Sequence, residues 1–473
     1  MKKLYKYLLY ILPLVLIFSY FPVISLGSNE TMNFELSLPL LWLVVFDVIS
    51  LVMVCKKYRK ELFTKVFGSV LWWLFPLFAT LSVCWSLNVT RGILTVGVMW
   101  ALFFAVVFLW DLRKNLDDKF WKVFWRWFFG SAMFACAWCV VQCILDVSGV
   151  SQEASLLCDG CVYQMFGFPH PNGFAIEPQF MGNLLVAPIL VVGANLIAAC
   201  PSDTLRAAQA KSSRSVEHIA IKFAPLLFFI FSATLFLTFS RGAIYACVVG
   251  LVVMLIFVRP KLKQIFITLG IFAAAFLFTL NLQGILTASS PTSDTYVDGV
   301  AKVLNHLSLG IIDVRGGEKA PERSGEITPV IPVENSEAPV ENSIYSGYVE
   351  ESTDTRVRLA SAAIEIWHQD FKTALVGVGI GGAGQALYNG GFSPAPKEIV
   401  QNEYAEILLE TGSIGISLFA LIVILAIRVM LKNRKSAGLL IALLAAYGVT
   451  LLFFSGLPNA LNIVLIPALL VLL

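Results

Sequence analysis

Charged residues and histidines are scarce in this chain. Only 14% of its 473 residues are charged and 4 are histidines, whereas 58% are hydrophobic and the mean hydropathy is +0.79. This balance lies far outside that of soluble globular proteins, so the lipid bilayer is the expected solvent. The net charge of +3 is small and scattered, and no basic run alternates with aromatic residues, which argues against a nucleic-acid partner. Membrane lipids and lipid-linked molecules are the expected partners.

About twelve apolar stretches are long enough to cross a membrane, since a helix needs roughly 20 apolar residues to span the hydrocarbon with its backbone groups paired. The expected fold is therefore an all-α polytopic membrane protein. We expect a membrane bundle in residues 1–285, a large connection in residues 286–402 and a second part of the bundle in residues 403–473. The expected spans are residues 4–26, 36–55, 66–84, 92–110, 124–145, 176–199, 220–239, 242–258, 264–285, 403–428, 437–455 and 459–473.

The connections between these spans alternate in charge. Basic residues concentrate in every second connection, as in residues 56–60 (KKYRK), whereas residues 146–175 contain no Lys or Arg. Because cytoplasmic loops carry the excess of Lys and Arg, the alternation predicts that both termini are cytoplasmic. The same alternation places residues 286–402 outside the cytoplasm, at what we call the outer face.

The large outer connection has two parts of different composition. Residues 316–351 are rich in Pro, Glu, Ser and Gly, so they cannot bury enough surface to offset the entropy of ordering. Residues 354–370 have helical spacing, with Thr353 or Asp354 as the expected N-cap, and we expect this helix to lie on the membrane surface. Its expected apolar side carries Ala360, Ala363, Ile364 and Trp367.

Two arginines lie where the charge alternation predicts none. Arg91 is in a short outer turn, and Arg241 is in the tight turn formed by residues 239–242. Either side chain could reach lipid phosphates from a helix end, which is a common structural role. The alternative is an anionic substrate, because a planar guanidinium donates paired hydrogen bonds to a diphosphate. Arg356 and Arg358 of the loop helix would add to such a site, although helical geometry directs only one of them inward.

A polar stretch precedes the sixth expected span. Residues 166–178 read FGFPHPNGFAIEP, and Pro178 suits the first turn of a helix. Glu177 is a candidate base or arginine partner, because a carboxylate at a membrane helix end is costly unless it is hydrated or paired. The helix dipole alone could also account for it. His170 has no other His, Cys or acid at ligand spacing, so we interpret it as a hydrogen-bonding residue and not as a metal ligand.

Three glutamates, Glu403, Glu406 and Glu410, share one side of the tenth expected span. Carboxylates at this spacing cannot face lipid, so they must face the bundle interior or a wet cavity. One of them could act as a base while the others bind arginines.

Three weaker features have structural explanations. Residues 377–382 have the glycine spacing of a dinucleotide-binding loop, but no βαβ unit surrounds them, so we interpret them as an ordinary loop. Cys158 and Cys161 lie outside the cytoplasm, where they could form a disulfide. Asp47 lies within a span, where a polar neighbour would account for it.

Several of these motifs together resemble the O-antigen ligase and polymerase superfamily. The motifs are the Pro-Asn-Gly-Phe and Glu-Pro groups in residues 171–178, the Ser-Arg-Gly turn at 240–242, the end of the third span at 81–86, and residues 402–415. The outer loop with Arg356, Trp367 and residues 377–384 is similar as well, so the resemblance covers nearly the whole chain.

Members of that superfamily transfer or polymerise glycans carried on undecaprenyl diphosphate at the outer face of the cytoplasmic membrane, without a metal or other cofactor. The resemblance implies this donor and location here, with a glycan or a lipid as acceptor. One residue departs from the ligase pattern. In the ligases a His, thought to activate the acceptor hydroxyl, precedes the Asn that corresponds to Asn402, whereas this chain has Gln401, which cannot take a proton. This departure favours a polymerase or a divergent ligase.

Diphosphate is already a good leaving group, so catalysis needs charge stabilisation and a base for the attacking hydroxyl. The residues predicted to bind the diphosphate are Arg241, Arg91, Arg356 and Arg358. The predicted candidates for the base are Glu403 and Glu177. The residues predicted to orient the acceptor are Gln401, Asn402 and His170.

A polysaccharide transporter or flippase is the main alternative to an enzyme. Such a protein would place unusual charges near the bilayer midplane and interrupt its helices with paired Gly or Pro residues. Here the unusual charges cluster at outer helix ends, which favours an enzyme. Within the enzyme class, a protein O-oligosaccharyltransferase would share these features, and a non-catalytic scaffold would tolerate the loss of Arg241.

Overall fold

The fold of the chain is given by a computed structural model. It describes residues 2–18, 24–29, 32–57, 69–112, 116–148, 164–165, 168–175, 177–198, 217–287, 303–304, 306–308, 347–432 and 437–454. These residues are almost entirely helical. The α-helices in chain order are α1 Lys2–Ile17, α2 Leu38–Lys57, α3 Leu74–Ser82, α4 Val89–Leu112, α5 Asp118–Val147, α6 Pro178–Ala198, α7 Glu217–Leu237, α8 Arg241–Val258, α9 Leu262–Thr287, α10 Gly347–Trp367, α11 Phe371–Val376, α12 Ala383–Asn389, α13 Glu403–Lys432 and α14 Ala437–Thr450.

Two small antiparallel hairpins are the exceptions to the helical fold. Strand β1 (Ile24–Asn29) pairs with β2 (Met32–Leu36), and β3 (Gln164–Met165) pairs with β4 (Phe168–Pro169). The first hairpin corrects the expected first span, residues 4–26, because α1 ends at Ile17 and residues 24–26 are in a strand. Pro22 lies between the two elements in the sequence, and a proline removes a backbone donor that a helix needs.

Seven helices in the described ranges are long and apolar enough to cross a membrane, namely α2, α4, α5, α6, α8, α9 and α13. Three shorter apolar helical segments accompany them at Val70–Trp85, Phe223–Leu237 and Ala437–Thr450. The expected polytopic membrane protein is thereby confirmed. The number of about twelve spans and the side on which the loops lie stay predictions. The last expected span, residues 459–473, lies outside the described residues.

Helix α6 lies at the centre of the bundle. Its apolar window Pro178–Ile197 is 89% buried, more than any other candidate span, and it packs against α5, α7, α8, α9 and α14. Gly250 of α8 permits one of these contacts, since an added Cβ would lie 2.7 Å from Leu190 and 3.0 Å from Ala446. Small residues let helices approach closely where lipid offers no hydrophobic driving force. Glu177, just before α6, is therefore fixed at one end of the central helix.

The loop helix differs from its prediction at both its start and its buried side. Helix α10 begins at Gly347, so Thr353 and Asp354 are inside it and neither is the N-cap. Residues 347–351, expected to be unstructured, are helical, and the expected unstructured residues 316–346 lie outside the described residues. The buried side of α10 consists of Leu359, Ala362, Ala363 and Ile366.

Packing against protein explains this shift of the buried side. Helix α10 contacts α12 and α13, so its inward side is set by these neighbours. Ile364, expected on the apolar side, is 46% exposed, whereas Ala363 is buried as expected. A helix that rests only on lipid would not bury this particular stripe.

Helix α13 is broken at Gly412, whose φ of 65° and ψ of −170° are not helical. An added Cβ at Gly412 would lie 2.3 Å from the backbone of Leu375, so only glycine fits this crossing. The break separates a short segment, residues 403–411, from the long apolar remainder of α13. All three glutamates of the stripe lie in the short segment and are buried by protein.

Candidate active site

The turn between α7 and α8 presents Arg241 as the first residue of α8. Phe239 in this turn has a φ of 45°, a left-handed conformation that costs a non-glycine residue about 1–2 kcal/mol. Two histidines hold the turn. The His170 ring nitrogen Nε2 donates to the Thr238 carbonyl at 2.6 Å, and Nε2 of His306 donates to the Phe239 carbonyl at 3.2 Å. These bonds fix the backbone from which the Arg241 side chain extends.

Burial keeps both histidines uncharged near neutral pH. Desolvation lowers the pKa of His170 to about 4, against the smaller opposite effect of its hydrogen bond to Thr238. The pKa of His306 falls to about 3, first because of burial and then because of Arg241, with further lowering by His170 and Arg356. His306 therefore interacts electrostatically with both arginines. The ring of His170 contacts the turn through a hydrogen bond, and its role in orienting an acceptor stays a prediction.

Arg356 of α10 extends toward the same region. Its Nε donates to the Gln401 side-chain oxygen at 3.1 Å, and its Nη2 donates to the Gln179 side-chain oxygen at 3.2 Å. Gln179 is itself held by donating to the Phe453 carbonyl at 3.1 Å. The Gln401 backbone has a φ of 59°, another left-handed non-glycine residue of the kind found at functional sites.

The guanidinium groups of Arg241 and Arg356 interact electrostatically, and we call these two residues the arginine pair. Arg241 is buried and Arg356 is half-buried. The side-chain oxygens that hold Arg356 belong to neutral amides, so they orient its charge without cancelling it. Two positive charges held close together repel each other and attract a shared anion.

Glu177, just before α6, interacts electrostatically with Arg356. The surrounding protein atoms raise its pKa by desolvation, and Arg356 opposes this effect. Its side chain is nevertheless exposed to solvent. Helices α6, α8 and α13 all begin near this group, and helix N-termini carry partial positive charge.

A second group of charges, which we call the outer latch, consists of Arg91, Glu406 and Glu410. Arg91 pairs with Glu406 at 3.9 Å, and its Nη1 donates to the carbonyl oxygens of Lys397 at 3.4 Å and Glu398 at 3.3 Å. The carboxylates also hold backbone. Glu406 accepts from the Val400 N–H at 3.3 Å, and Glu410 accepts from the N–H groups of Gly381 and Ala383.

The glycine-rich run, residues 377–382, packs directly against the end of α3 and the connection to α4. Ser86 Oγ donates to the Ile380 carbonyl at 2.8 Å, and the Ile380 N–H donates to Ser82 Oγ at 3.1 Å. An added Cβ at Gly379, where φ is 88°, would lie 2.3 Å from Ser86 Cα. The run is therefore a close-packed loop before α12, which confirms its interpretation. It joins the motifs around residues 81–86 and 402–415 into one contact.

The predicted site residues thus separate into groups. Arg241 and Arg356 come together, whereas Arg91 lies in the outer latch. Arg358 is partly exposed and makes no hydrogen bond or ion pair with another described residue, in line with only one of the two loop arginines facing inward. Glu403 is buried at the start of α13, and its N–H donates to the Leu451 carbonyl.

Asn402 is the N-cap of α13. Its Oδ1 accepts from the Ala405 N–H at 3.1 Å, and its Nδ2 donates to the Leu452 carbonyl at 3.2 Å. Both ends of this side chain are therefore engaged in local structure. Its predicted role in orienting an acceptor stays a prediction, and Gln401 is the neighbour that contacts the arginine pair.

Three residues of the site were missed by sequence reasoning. Gln179 and His306 carry no motif, and Tyr245, which donates to the Leu307 carbonyl and interacts with Arg241, looks like an ordinary span residue. One signal was available, because Tyr245 lies one helical turn after Arg241. No group of three or more His, Cys, Asp or Glu that could hold a metal occurs in the described part of the chain.

Comparison with known families covers part of this site. Residues 226–420 match the family model described as O-antigen ligase, which confirms the resemblance to that superfamily. The matched range contains the arginine pair, Gln401 and the glutamates of the outer latch, whereas Arg91 and Glu177 lie before it. None of the curated proteins matches the chain.

Proposed function

Starting from the O-antigen ligase family of residues 226–420, we propose that the chain is a membrane glycosyltransferase. It transfers or polymerises a glycan carried on undecaprenyl diphosphate at the outer face of the cytoplasmic membrane. The observation that carries this proposal is the arginine pair. Arg241 and Arg356 interact electrostatically, two amide side chains orient Arg356, and two histidines hold the turn that carries Arg241. A diphosphate bound by both guanidinium groups would neutralise this positive charge.

The arginine pair acts on the leaving group. When the bond between the sugar and the diphosphate breaks, negative charge develops on the departing oxygen, and preorganised donors stabilise it. Each charge-assisted hydrogen bond contributes about 1.5–3 kcal/mol. Arg241 donates from the start of α8, and Arg356 is oriented by Gln179 and Gln401. In this proposal arginines, rather than a metal ion, stabilise the charge.

The base that takes the proton from the acceptor hydroxyl is Glu403 or Glu177. Glu177 interacts with Arg356, and desolvation raises its pKa toward the range in which a carboxylate can accept a proton effectively. Glu403 is buried two positions from Gln401, which contacts Arg356. Gln401 stands where the ligases have a His, and it orients Arg356 through its side-chain oxygen while its NH₂ group can donate to the acceptor.

The test is glycan transfer by the full chain in proteoliposomes that contain a lipid-linked glycan and its acceptor. The variants are Glu403→Gln and Glu177→Gln, with Glu365→Gln of α10 as the matched control. Loss of the base lowers transfer by about 100-fold or more, and the control keeps the wild-type rate. Transfer that survives in both glutamine variants would show that neither carboxylate is the base.

The same proteoliposomes separate the proposed enzyme from a transporter. A flippase would move the lipid-linked glycan across the bilayer and leave the donor chemically intact, whereas a glycosyltransferase consumes it. Supplying a glycan, a lipid or a protein as acceptor then distinguishes polymerase, ligase and protein O-oligosaccharyltransferase. In cells, the glycan that accumulates on its lipid carrier after removal of the protein identifies the donor.

A further inference from the structure

A cavity lies between α1 and α5, on helices that contribute nothing to the arginine pair. Its volume is about 530 Å³, and it is open on one side. Leu14 of α1 forms one wall. The wall on α5 is formed by Val123, Arg126, Trp127, Gly130, Ser131 and Phe134. These positions recur at helical spacing, so one side of α5 faces a groove along the bundle.

The charge at this groove is positive and unpaired. Arg126 is exposed, and it makes no ion pair with a carboxylate in the described ranges. Lys122 and Lys119 continue the same side of α5 toward its first residue, and both are exposed. The start of α5 lies beside the start of α1, where Lys6 pairs with Asp117 at 3.2 Å. Arg126 therefore lies in the basic first half of α5, whose start is predicted by the charge alternation to be cytoplasmic, while the groove reaches Leu14 of α1.

One feature within the groove points to a ligand, and a second leaves room for it. Ser131 is 3% exposed, and its Oγ has no hydrogen-bond partner in the described structure, although a buried hydroxyl normally has one. Gly130 leaves a notch, since an added Cβ would meet no atom within 4 Å. By helical rise, Ser131 lies about 7.5 Å deeper along α5 than Arg126.

We propose that this groove binds one anionic glycerophospholipid from the leaflet at the basic end of α1 and α5. Arg126 binds the phosphate, as basic pockets between membrane helices do. The Ser131 hydroxyl donates to an ester carbonyl deeper in the lipid, and the notch at Gly130 admits the glycerol. One acyl chain lies against Leu14 and Phe134, which is 52% exposed. The site is separate from the arginine pair, so this inference does not depend on the proposed enzyme activity.

Native mass spectrometry of the full chain tests this proposal. Detergent-purified protein is mixed with phosphatidylglycerol or with phosphatidylcholine of the same acyl composition, and the retained lipid is counted. We expect about a tenfold preference for phosphatidylglycerol, the factor that one charge-assisted hydrogen bond supplies. Arg126→Gln removes this preference. Gly130→Leu fills the notch and lowers retention of both lipids.

Lys263→Gln is the matched control, because it removes an exposed positive charge from the start of α9, which is predicted to lie on the same side of the membrane. It leaves the preference unchanged. Equal retention of phosphatidylglycerol by the wild type, Arg126→Gln and Gly130→Leu would overturn the proposal. Self-association of the wild type that is lost in Gly130→Leu, without any change in lipid retention, would also overturn it and assign the groove to a second copy of the chain.

Discussion

The outer latch and the arginine pair meet at the start of α13, and both place arginines in protein surroundings. In the latch, Arg91 faces Glu406 at 3.9 Å, and the remaining contacts are backbone groups. In the arginine pair, Arg356 is held by the amides of Gln179 and Gln401. In the latch one arginine interacts with two glutamates, whereas the pair brings two arginines together with Glu177 beside Arg356.

This difference in charge suggests a structural role for the latch and an anion-binding role for the arginine pair. A buried charge that is already paired with a counterion attracts a charged ligand only weakly, and removing its partner destabilises the fold. Two positive charges that lie close together keep a net attraction for an anion, even with one carboxylate beside them. From the sequence alone Arg91 and Arg241 have the same interpretation, because both are arginines at helix ends that are predicted to lie at the outer face. The two arginines are distinguished by their partners. Those of Arg91 lie 306–315 residues later in the sequence, and Arg241 interacts with Arg356 of α10.

Breaking the latch should have the largest effect, and that effect should be on stability. Arg91→Met leaves the Glu406 carboxylate buried without its partner, which costs about 3–5 kcal/mol of unfolding free energy. Denaturant unfolding in detergent measures this loss. The double variant Arg91→Met, Glu406→Gln should recover part of the loss, and a double variant no more stable than the single one would contradict the pairing.

Removing one member of the arginine pair should affect catalysis and not folding. Arg241→Ala lowers transfer by about 100-fold or more, because a preorganised donor to the leaving group is lost. Its unfolding temperature should stay close to that of the wild type. Arg428→Ala, which removes an exposed arginine from the other end of α13, is the control and should transfer at the normal rate.

A steric clash introduced into the glycine-rich run, residues 377–382, should lower stability by less than the loss of Arg91. Gly379→Ala places a Cβ 2.3 Å from Ser86 Cα at a φ of 88°, so we expect a cost of about 1–3 kcal/mol. Gly97→Ala on α4, where a Cβ meets no atom within 4 Å, is the control. That change should be neutral or stabilising by up to about 1 kcal/mol, since alanine favours helix. Equal unfolding temperatures for the two variants would show that the glycine-rich loop is not close-packed.

Acid should weaken the support that the two histidines give to the arginine pair. The pKa values of His170 and His306 are lowered to about 4 and about 3, so the unfolded chain binds protons first as pH falls below about 6.5. The stability that these histidines contribute is complete above pH 6.5 and is lost progressively toward pH 3–4. His170→Gln combined with His306→Gln should flatten the dependence of unfolding temperature on pH in this window. An unchanged slope would contradict the assignment.

Part of this arrangement could be predicted from sequence because it is local. The charge alternation singled out Arg241, because it lies in a connection that is predicted to lack basic residues. The helical repeat indicated that only one of Arg356 and Arg358 faces inward. The loop at residues 377–382 was interpreted correctly because glycine spacing without a preceding strand argues against a nucleotide site.

The rest depends on contacts between distant segments. Gln179 and Arg356 are 177 residues apart, and a glutamine near a helix start gives no signal of its partner. The start of α10 was misplaced because Asp354 resembles an N-cap, whereas the helix continues back to Gly347. Its buried side was set by α12 and α13, which a single helical pattern does not reveal.

The central claim is that the arginine pair binds the diphosphate, and the affinity for undecaprenyl diphosphate tests it most directly. The variants to compare in nanodiscs are Arg241→Ala, Arg356→Ala and the double latch variant Arg91→Met, Glu406→Gln. Each change in the arginine pair should weaken binding by about tenfold or more, and the latch variant should bind like the wild type. Wild-type affinity in Arg241→Ala and Arg356→Ala, or a loss confined to the latch variant, would contradict the account.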